Sequence, residues 1–259
     1  MTSPRATASP AGDATPLWAV LAFTFINSLG TGVVTSGIFF LTKAGYAFSD
    51  LANFGLGLLL GVMYILGALF AGRLLRALRA WGWSTRRVLS WLMAALGALC
   101  LLPWGARLID DSGSAAPAWP IWLMVGLYSP LTGVLWPVVE SYLSGGKSGH
   151  ALRRDIGVWN VVWSSALVAA YWAVAPAIRQ YPAEAVASLG LAHVAGLGLL
   201  VAFAREPRSH VHEEHAPHPP VYNQLLVTFR FLLPTAYLVS SALGPYLPSL
   251  MPRLGIGEQ

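Results

Sequence analysis

Seven apolar runs alternate along the chain with short polar segments: Leu17 to Leu41, Leu51 to Gly72, Val88 to Ala106, Trp119 to Val139, Ile156 to Ile178, Ala185 to Ala204 and Phe231 to Met251. A helix needs about 20 predominantly apolar residues to cross a bilayer, so each run predicts a transmembrane helix, numbered 1 to 7 in chain order. The runs are continuous rather than alternating with period two, which selects helices over a β-barrel. The predicted fold class is therefore an all-α membrane protein, a polytopic helical bundle.

The intervening segments set the predicted organisation. Residues 1–16, rich in Ala, Pro, Ser and Thr, bury too little apolar surface to order themselves and predict a disordered tail. Residues 17–204 form a six-helix unit, residues 205–223 a His- and Pro-rich linker, and residues 224–259 a segment carrying helix 7. The first run is longer than a signal-peptide core and lacks a strongly basic front, so it is expected to stay as a membrane helix.

Composition agrees: 56% of residues are hydrophobic and 10% charged, with a mean hydropathy of +0.59, which excludes an ordinary soluble domain. The single cysteine, Cys100, lies within helix 3, so no intrachain disulfide can form. The net charge of +5 comes from arginines concentrated between the runs, and no basic stripe with stacking aromatics stands apart from them. The expected partner is a lipid bilayer, not nucleic acid.

Orientation follows from the same charges. The tail and the segments after helices 2, 4 and 6 hold Arg5, Arg73, Arg76, Arg79, Arg86, Arg87, Lys147, Arg153, Arg154, Arg205, Arg208 and Arg230; the other side holds Lys43, Arg107, Arg179 and Arg253. Twelve against four predicts a cytoplasmic amino terminus and linker, in a multi-pass protein of the plasma (inner) membrane.

Candidate chemistry lies on polar faces of the helices. Thr24, Asn27, Thr31 and Thr35 recur every three or four residues, so they share one face of helix 1 and predict a cavity-lining stripe. Tyr64 in helix 2, Tyr128, Thr132 and Trp136 in helix 4, Asn160 and Ser164 in helix 5 with Tyr171 two turns on, and Tyr237, Ser240 and Ser241 in helix 7 extend the candidate substrate-binding set. No Asp, Glu, Lys or Arg stands at mid-membrane, which argues against a strongly charged substrate. His193 is the one ionisable group well inside a run, hence the candidate for proton handling. Gly57-xxx-Gly61 and Ala68-xxx-Gly72 in helix 2, and Ala192-xxx-Gly196 in helix 6, predict close helix packing. Pro234, Gly244, Pro245 and Pro248 predict a kinked or broken helix 7.

Three soluble-protein motifs fail. Gly146-Lys147-Ser148 suggests a phosphate loop, but Ser141 stands where its first glycine belongs and no strand precedes it. His212-Glu213-Glu214-His215 is one residue short of zincin spacing. His210, His212, His215 and His218 carry metal-donor chemistry, yet their Pro-rich setting reads as a solvated connector, and no metal or other cofactor is expected. No Ser/His or paired-carboxylate constellation points to an enzyme.

Laying Leu21 to Tyr46 over Phe231 to Ile256 without gaps matches Thr24 to Pro234, Lys43 to Arg253 and Gly45 to Gly255. Internal repeats of this kind build transporter folds. Trp136-Pro137-Val-Val-Glu140-Ser-Tyr-Leu, Asp155-Ile-Gly157-Val-Trp159-Asn160, and Phe231-Leu-Leu-Pro234 through Leu247-Pro248-Ser-Leu-Met251 resemble segments of the major facilitator superfamily. The resemblance extends over the chain in run count, orientation and linker position. Between helices 2 and 3, Gly72, Gly82, Arg86 and Arg87 fit the family pattern, but Arg73, Arg76 and Arg79 fill the interval and no aspartate is present.

That resemblance implies a six-helix amino-terminal half, a linker, and the first helix of a second half, making the chain a piece of a longer carrier. It implies a secondary active or facilitative transporter of a small organic solute, working by alternating access and coupled in some members to an ion. It also implies that Glu140 is near Arg73 and Arg76, as a gating ion pair. The alternative from the residues alone is a seven-helix membrane receptor or sensor, although helix 7 has no lysine for a Schiff base.

Overall fold

The computed structural model describes residues 14–109, 117–209, 211 and 221–256, the side chains of residues 230, 231, 233, 234, 236–238 and 240 excepted. All regular structure among the described residues is helical. Six helical segments are long and apolar enough to cross a membrane: span 1, Leu17–Gly45; span 2, Asp50–Ala80; span 3, Thr85–Ile109; span 4, Trp119–Ser144; span 5, Gly149–Val174; and span 6, Pro182–Ala202. The protein is thus an integral, multi-pass helical bundle.

Local chemistry sets the span ends. Ser49 accepts the Ala52 N–H at the start of span 2, and Ser84 accepts the Arg87 N–H at the start of span 3, each satisfying an orphan donor of the first turn. Pro120 and Pro182 stand in the first turns of spans 4 and 6, where a missing N–H costs nothing. Span 4 continues through Pro130 and Pro137. Such prolines are tolerated where neighbouring helices cover the freed backbone groups.

Span 1 is less regular than its sequence suggests. Its α-helix gives way to a π-turn at Val33–Gly37 and resumes at Ile38–Gly45. Just before the turn Thr31 donates to the Asn27 carbonyl at 3.0 Å, and within it Thr35 donates to the Thr31 carbonyl at 2.7 Å. Hydroxyls bonded back in this way bend helices. The seventh helix begins at Val221, breaks at Gly244–Tyr246 and ends in a short helix, Leu247–Arg253. The break expected from Gly244 and Pro245 is present, whereas the helix runs through Pro234.

The packing of the six spans is two-fold. Span 1 packs on spans 5 and 6, span 4 packs on spans 2 and 3, spans 3 and 6 pack on each other, and spans 1 and 4 meet. Exchanging 1 with 4, 2 with 5 and 3 with 6 maps this set of pairs onto itself. Burial obeys the same exchange: 61% and 56% of the most apolar stretch is buried in spans 1 and 4, 44% and 39% in spans 3 and 6, and 17% and 11% in spans 2 and 5. Consecutive spans alternate in direction because their connections are too short to run a helix length, so exchanged spans are antiparallel. The bundle is an inverted pair of three-helix units.

Glycines allow two of the closest crossings. A Cβ on Gly133 of span 4 would stand 2.5 Å from the Tyr64 carbonyl and 2.8 Å from the Ala68 N of span 2, and one on Gly67 would collide with the Pro130 carbonyl. Spans 3 and 6 meet at Gly97 and Gly190, where a Cβ on Gly190 would lie 2.8 Å from the Gly97 carbonyl. The small-residue expectation for span 2 holds at one member of each motif: a Cβ on Gly57 would lie 3.0 Å from Pro245, and the Ala68 N stands at the Gly133 crossing. The other members are open, since a Cβ on Gly61 meets nothing within 4 Å and one on Gly72 meets only Arg76, and Gly67 makes the tightest contact with span 4. The Gly196 expectation does meet a tight neighbour, Asn27 Nδ2, at 2.9 Å.

Candidate functional site

The polar stripe of span 1 divides between two environments. Its first three members, Thr24, Asn27 and Thr31, are buried among the helices. Thr24 accepts the indole N–H of Trp159 at 2.9 Å, and Trp159 meets Trp136 edge to face at 6.3 Å, so these aromatics join spans 1, 4 and 5.

Asn27 Nδ2 donates to the Phe23 carbonyl at 2.9 Å, which turns Oδ1 toward His193 Nδ1, 2.9 Å away. Nδ1 therefore carries the proton and Nε2 accepts from the Tyr128 hydroxyl at 2.7 Å. All three side chains are fully buried. Both ring nitrogens are occupied by neutral partners, which makes this arrangement a hydrogen-bonded pin between spans 1, 4 and 6. Gly30 and Gly196 give it room, since a Cβ on Gly30 would stand 2.8 Å from Nε2. Thr132 is also buried, donating to the Ser129 carbonyl at 2.8 Å.

Thr35, the fourth member, opens onto a cavity of about 790 Å³. Its polar lining is Thr35 and Ser36 of the π-turn, Tyr171 of span 5 and Ser241 of the seventh helix. Gly57 and Gly61 of span 2 supply part of the opposite wall, and Gly244 at the helix break another part. The Tyr171 ring packs on Gly37, where a Cβ would lie 2.9 Å from it. Three polar residues noted in separate runs, Thr35, Tyr171 and Ser241, are thereby brought together.

The other substrate-binding candidates lie elsewhere. Tyr64 is half-buried on span 2 with its carbonyl against Gly133, while Asn160 and Ser164 are exposed on span 5. Thr24, Asn27, Thr31, Tyr128, Thr132 and Trp136 belong to the bundle interior and do not line the cavity. The side chains of Tyr237 and Ser240, and all of His210, His212, His215 and His218, lie outside the described residues.

Each end of the bundle carries an ionic cluster. Asp50 Oδ1 accepts Lys43 Nζ at 2.8 Å and the Ser249 hydroxyl, which ties the loop between spans 1 and 2 to the short helix after the break. Ser249 shares its short helix with Leu247 and Met251, which line the cavity from another face of that helix. In the same connection between spans 1 and 2, the Tyr46 phenol is pushed up to about 12, chiefly by burial and further by the Glu184 carboxylate.

At the opposite end Glu140 is exposed, and among the described residues no ion pair joins it to Arg73 or Arg76; the Arg73 guanidinium sits 5.8 Å over the Phe70 ring. Glu206 takes up the carboxylate role there. It accepts the Thr85 N–H at 3.0 Å and the Thr85 hydroxyl, and stands 3.7 Å from Arg79. Arg86 donates to the Phe203 carbonyl at 3.0 Å and Tyr142 to the Ala204 carbonyl at 3.0 Å, so the start of the linker is fastened to spans 3 and 4. Thr15, at the end of the tail, accepts the Ala204 N–H at 2.8 Å. Asp155 is buried between Lys147 at 2.8 Å and Arg154 at 3.0 Å. No local pattern identifies Glu206 or Asp50, because their partners lie on other spans.

Fold and site together define a polytopic helical membrane protein with an intramembrane cavity. Comparison with family models, curated proteins and solved structures finds no match to this chain.

Proposed function

We propose that the chain is the amino-terminal half, with the first helix of a second half, of a secondary active or facilitative transporter related to the major facilitator superfamily. It carries a small organic solute by alternating access, with the amino terminus cytoplasmic in the plasma (inner) membrane. The observation that carries this reading is the inverted pair of three-helix units, matched in both packing and burial. Inverted repeats are a recurrent architecture of carriers, with the substrate site at the interface of rocking bodies. Spans 2 and 5, the least buried, present the surfaces against which a second half would pack.

The proposed cycle uses both ends. Asp50 belongs to the six-helix unit and Ser249 follows the linker, so their contact must break when two halves part on that side. Glu140 with Arg73 or Arg76 is the corresponding pair in the opposite state. A coupling ion is a further expectation of this reading.

Accessibility tests it. A cysteine placed at Ser36, in the protein expressed from its complete reading frame, is offered a membrane-impermeant maleimide from either side, with buried Cys100 as the unreactive background. A carrier is labelled from both sides. Labelling from one side only favours a receptor or sensor and sinks the transport reading.

A further inference from the structure

The cavity between the π-turn, span 5 and the seventh-helix break has a lining that selects by charge. Among the described residues its wall contains no Asp, Glu, Lys, Arg or His. Lys43 is neutralised by Asp50 at 2.8 Å, and Arg253 stacks on Tyr246, whose hydroxyl it bonds at 3.0 Å. An ionised ligand would lose its hydration and gain no counter-charge from these walls, a loss that uncharged dipoles do not restore.

Hydrogen-bonding capacity is nonetheless present. Thr35 spends its proton on the Thr31 carbonyl, so its oxygen faces the cavity as an acceptor. Ser36 and Tyr171 make no hydrogen bond among the described residues and can donate or accept. The rest of the wall is aliphatic and aromatic, with Phe39 and Phe40 beside the π-turn. A volume of about 790 Å³ lies within the range of small-molecule sites, and a π-turn inside a helix commonly marks such a site.

We infer that this cavity binds a neutral amphiphile, with an aromatic or branched hydrocarbon body and an uncharged head group that both donates and accepts hydrogen bonds, and that it rejects carboxylates and amines of the same shape. Calling that ligand the transported solute rests on the transport reading; the binding class does not.

The test uses three probes with one body and different heads: 4-phenylbutan-1-ol, 4-phenylbutyrate and 4-phenylbutylamine. Each is titrated against the full protein in lipid nanodiscs, with binding read by calorimetry. The alcohol is expected to bind at least about tenfold more tightly than either ion. Gly61→Leu fills the cavity from a wall position where a Cβ meets nothing within 4 Å, so it is expected to abolish alcohol binding and leave the unfolding temperature unchanged. That variant also corrects for partition into lipid. Equal or tighter binding of the acid or the amine, binding by none of the three, or undiminished alcohol binding in Gly61→Leu would overturn the assignment. Selective alcohol binding combined with one-sided labelling at Ser36 upholds the ligand class and removes only the transport reading.

Discussion

The hydroxyl of Tyr128 donates to Nε2 of His193 across 2.7 Å, joining spans 4 and 6 in the bundle interior. Removing it in Tyr128→Phe leaves a buried acceptor with no donor. Such orphaning costs about 1–3 kcal/mol in soluble proteins, while polar contacts between membrane helices average about 0.6 kcal/mol, with a maximum near 1.7. A loss of about 1–1.5 kcal/mol is expected, read from reversible unfolding in mixed micelles. Asn160→Ala, at an exposed position on span 5, is expected to change stability by less than about 0.5 kcal/mol. Equal effects of the two would remove the pin.

Gly133 and Gly61 separate packing from cavity. In Gly133→Ala the added methyl would stand 2.5 Å from the Tyr64 carbonyl, forcing spans 2 and 4 apart at a cost of about 1–3 kcal/mol. Gly61→Ala meets open space and gains helix propensity, so it is expected to be neutral or slightly stabilising. Thermal unfolding of the two variants side by side decides the matter; a larger loss at Gly61 would contradict the crossing.

Asp50 and Ser249 form a tie whose importance is conformational. Ser249→Ala removes one part-exposed hydrogen bond and leaves the Lys43–Asp50 pair in place, so a stability loss of no more than about 1 kcal/mol is expected. A Cys pair at Asp50 and Ser249 is expected to cross-link under mild oxidant and to remove maleimide labelling at Ser36 from that side, with reduction restoring it. Persistent two-sided labelling in the cross-linked protein would show that the tie does not gate the cavity.

Glu206 fastens the linker to span 3, and Glu206→Gln weakens that attachment without changing the volume of the side chain. Its carboxylate is 47% exposed, so solvent screening brings the loss down to about 1 kcal/mol, below the ~1.5–3 kcal/mol of a well-buried charge-assisted bond. Local opening then rises about fivefold, and tryptic cleavage at Arg205 and Arg208 should accelerate by the same factor while the spans stay intact. Unchanged cleavage would mean that Arg86 and Tyr142 hold the linker by themselves.

The six described spans and the seventh-helix break were readable from the chain because their causes are one-dimensional. Hydrocarbon demands about 20 consecutive apolar residues, and Gly244-Pro245 interrupts a helix wherever it occurs. The face shared by Thr24, Asn27, Thr31 and Thr35 was readable for the same reason, since helical periodicity needs no partner.

Which environment each residue on that face meets was decided only by tertiary structure. Asn27 reaches a histidine 166 residues away, while Thr35, two turns beyond Asn27, meets the cavity because a π-turn and the ring of Tyr171 open a space there. Span 1 with span 4, span 2 with span 5 and span 3 with span 6 share burial, yet no repeat in sequence announces the relation. The sequence by itself determined where the chain crosses a membrane, because burial in lipid is set by composition along one helix. Tertiary structure alone decided that Gly67 packs while Gly61 lines a void, and that Glu206 rather than Glu140 meets an arginine, because each depends on which helix stands opposite.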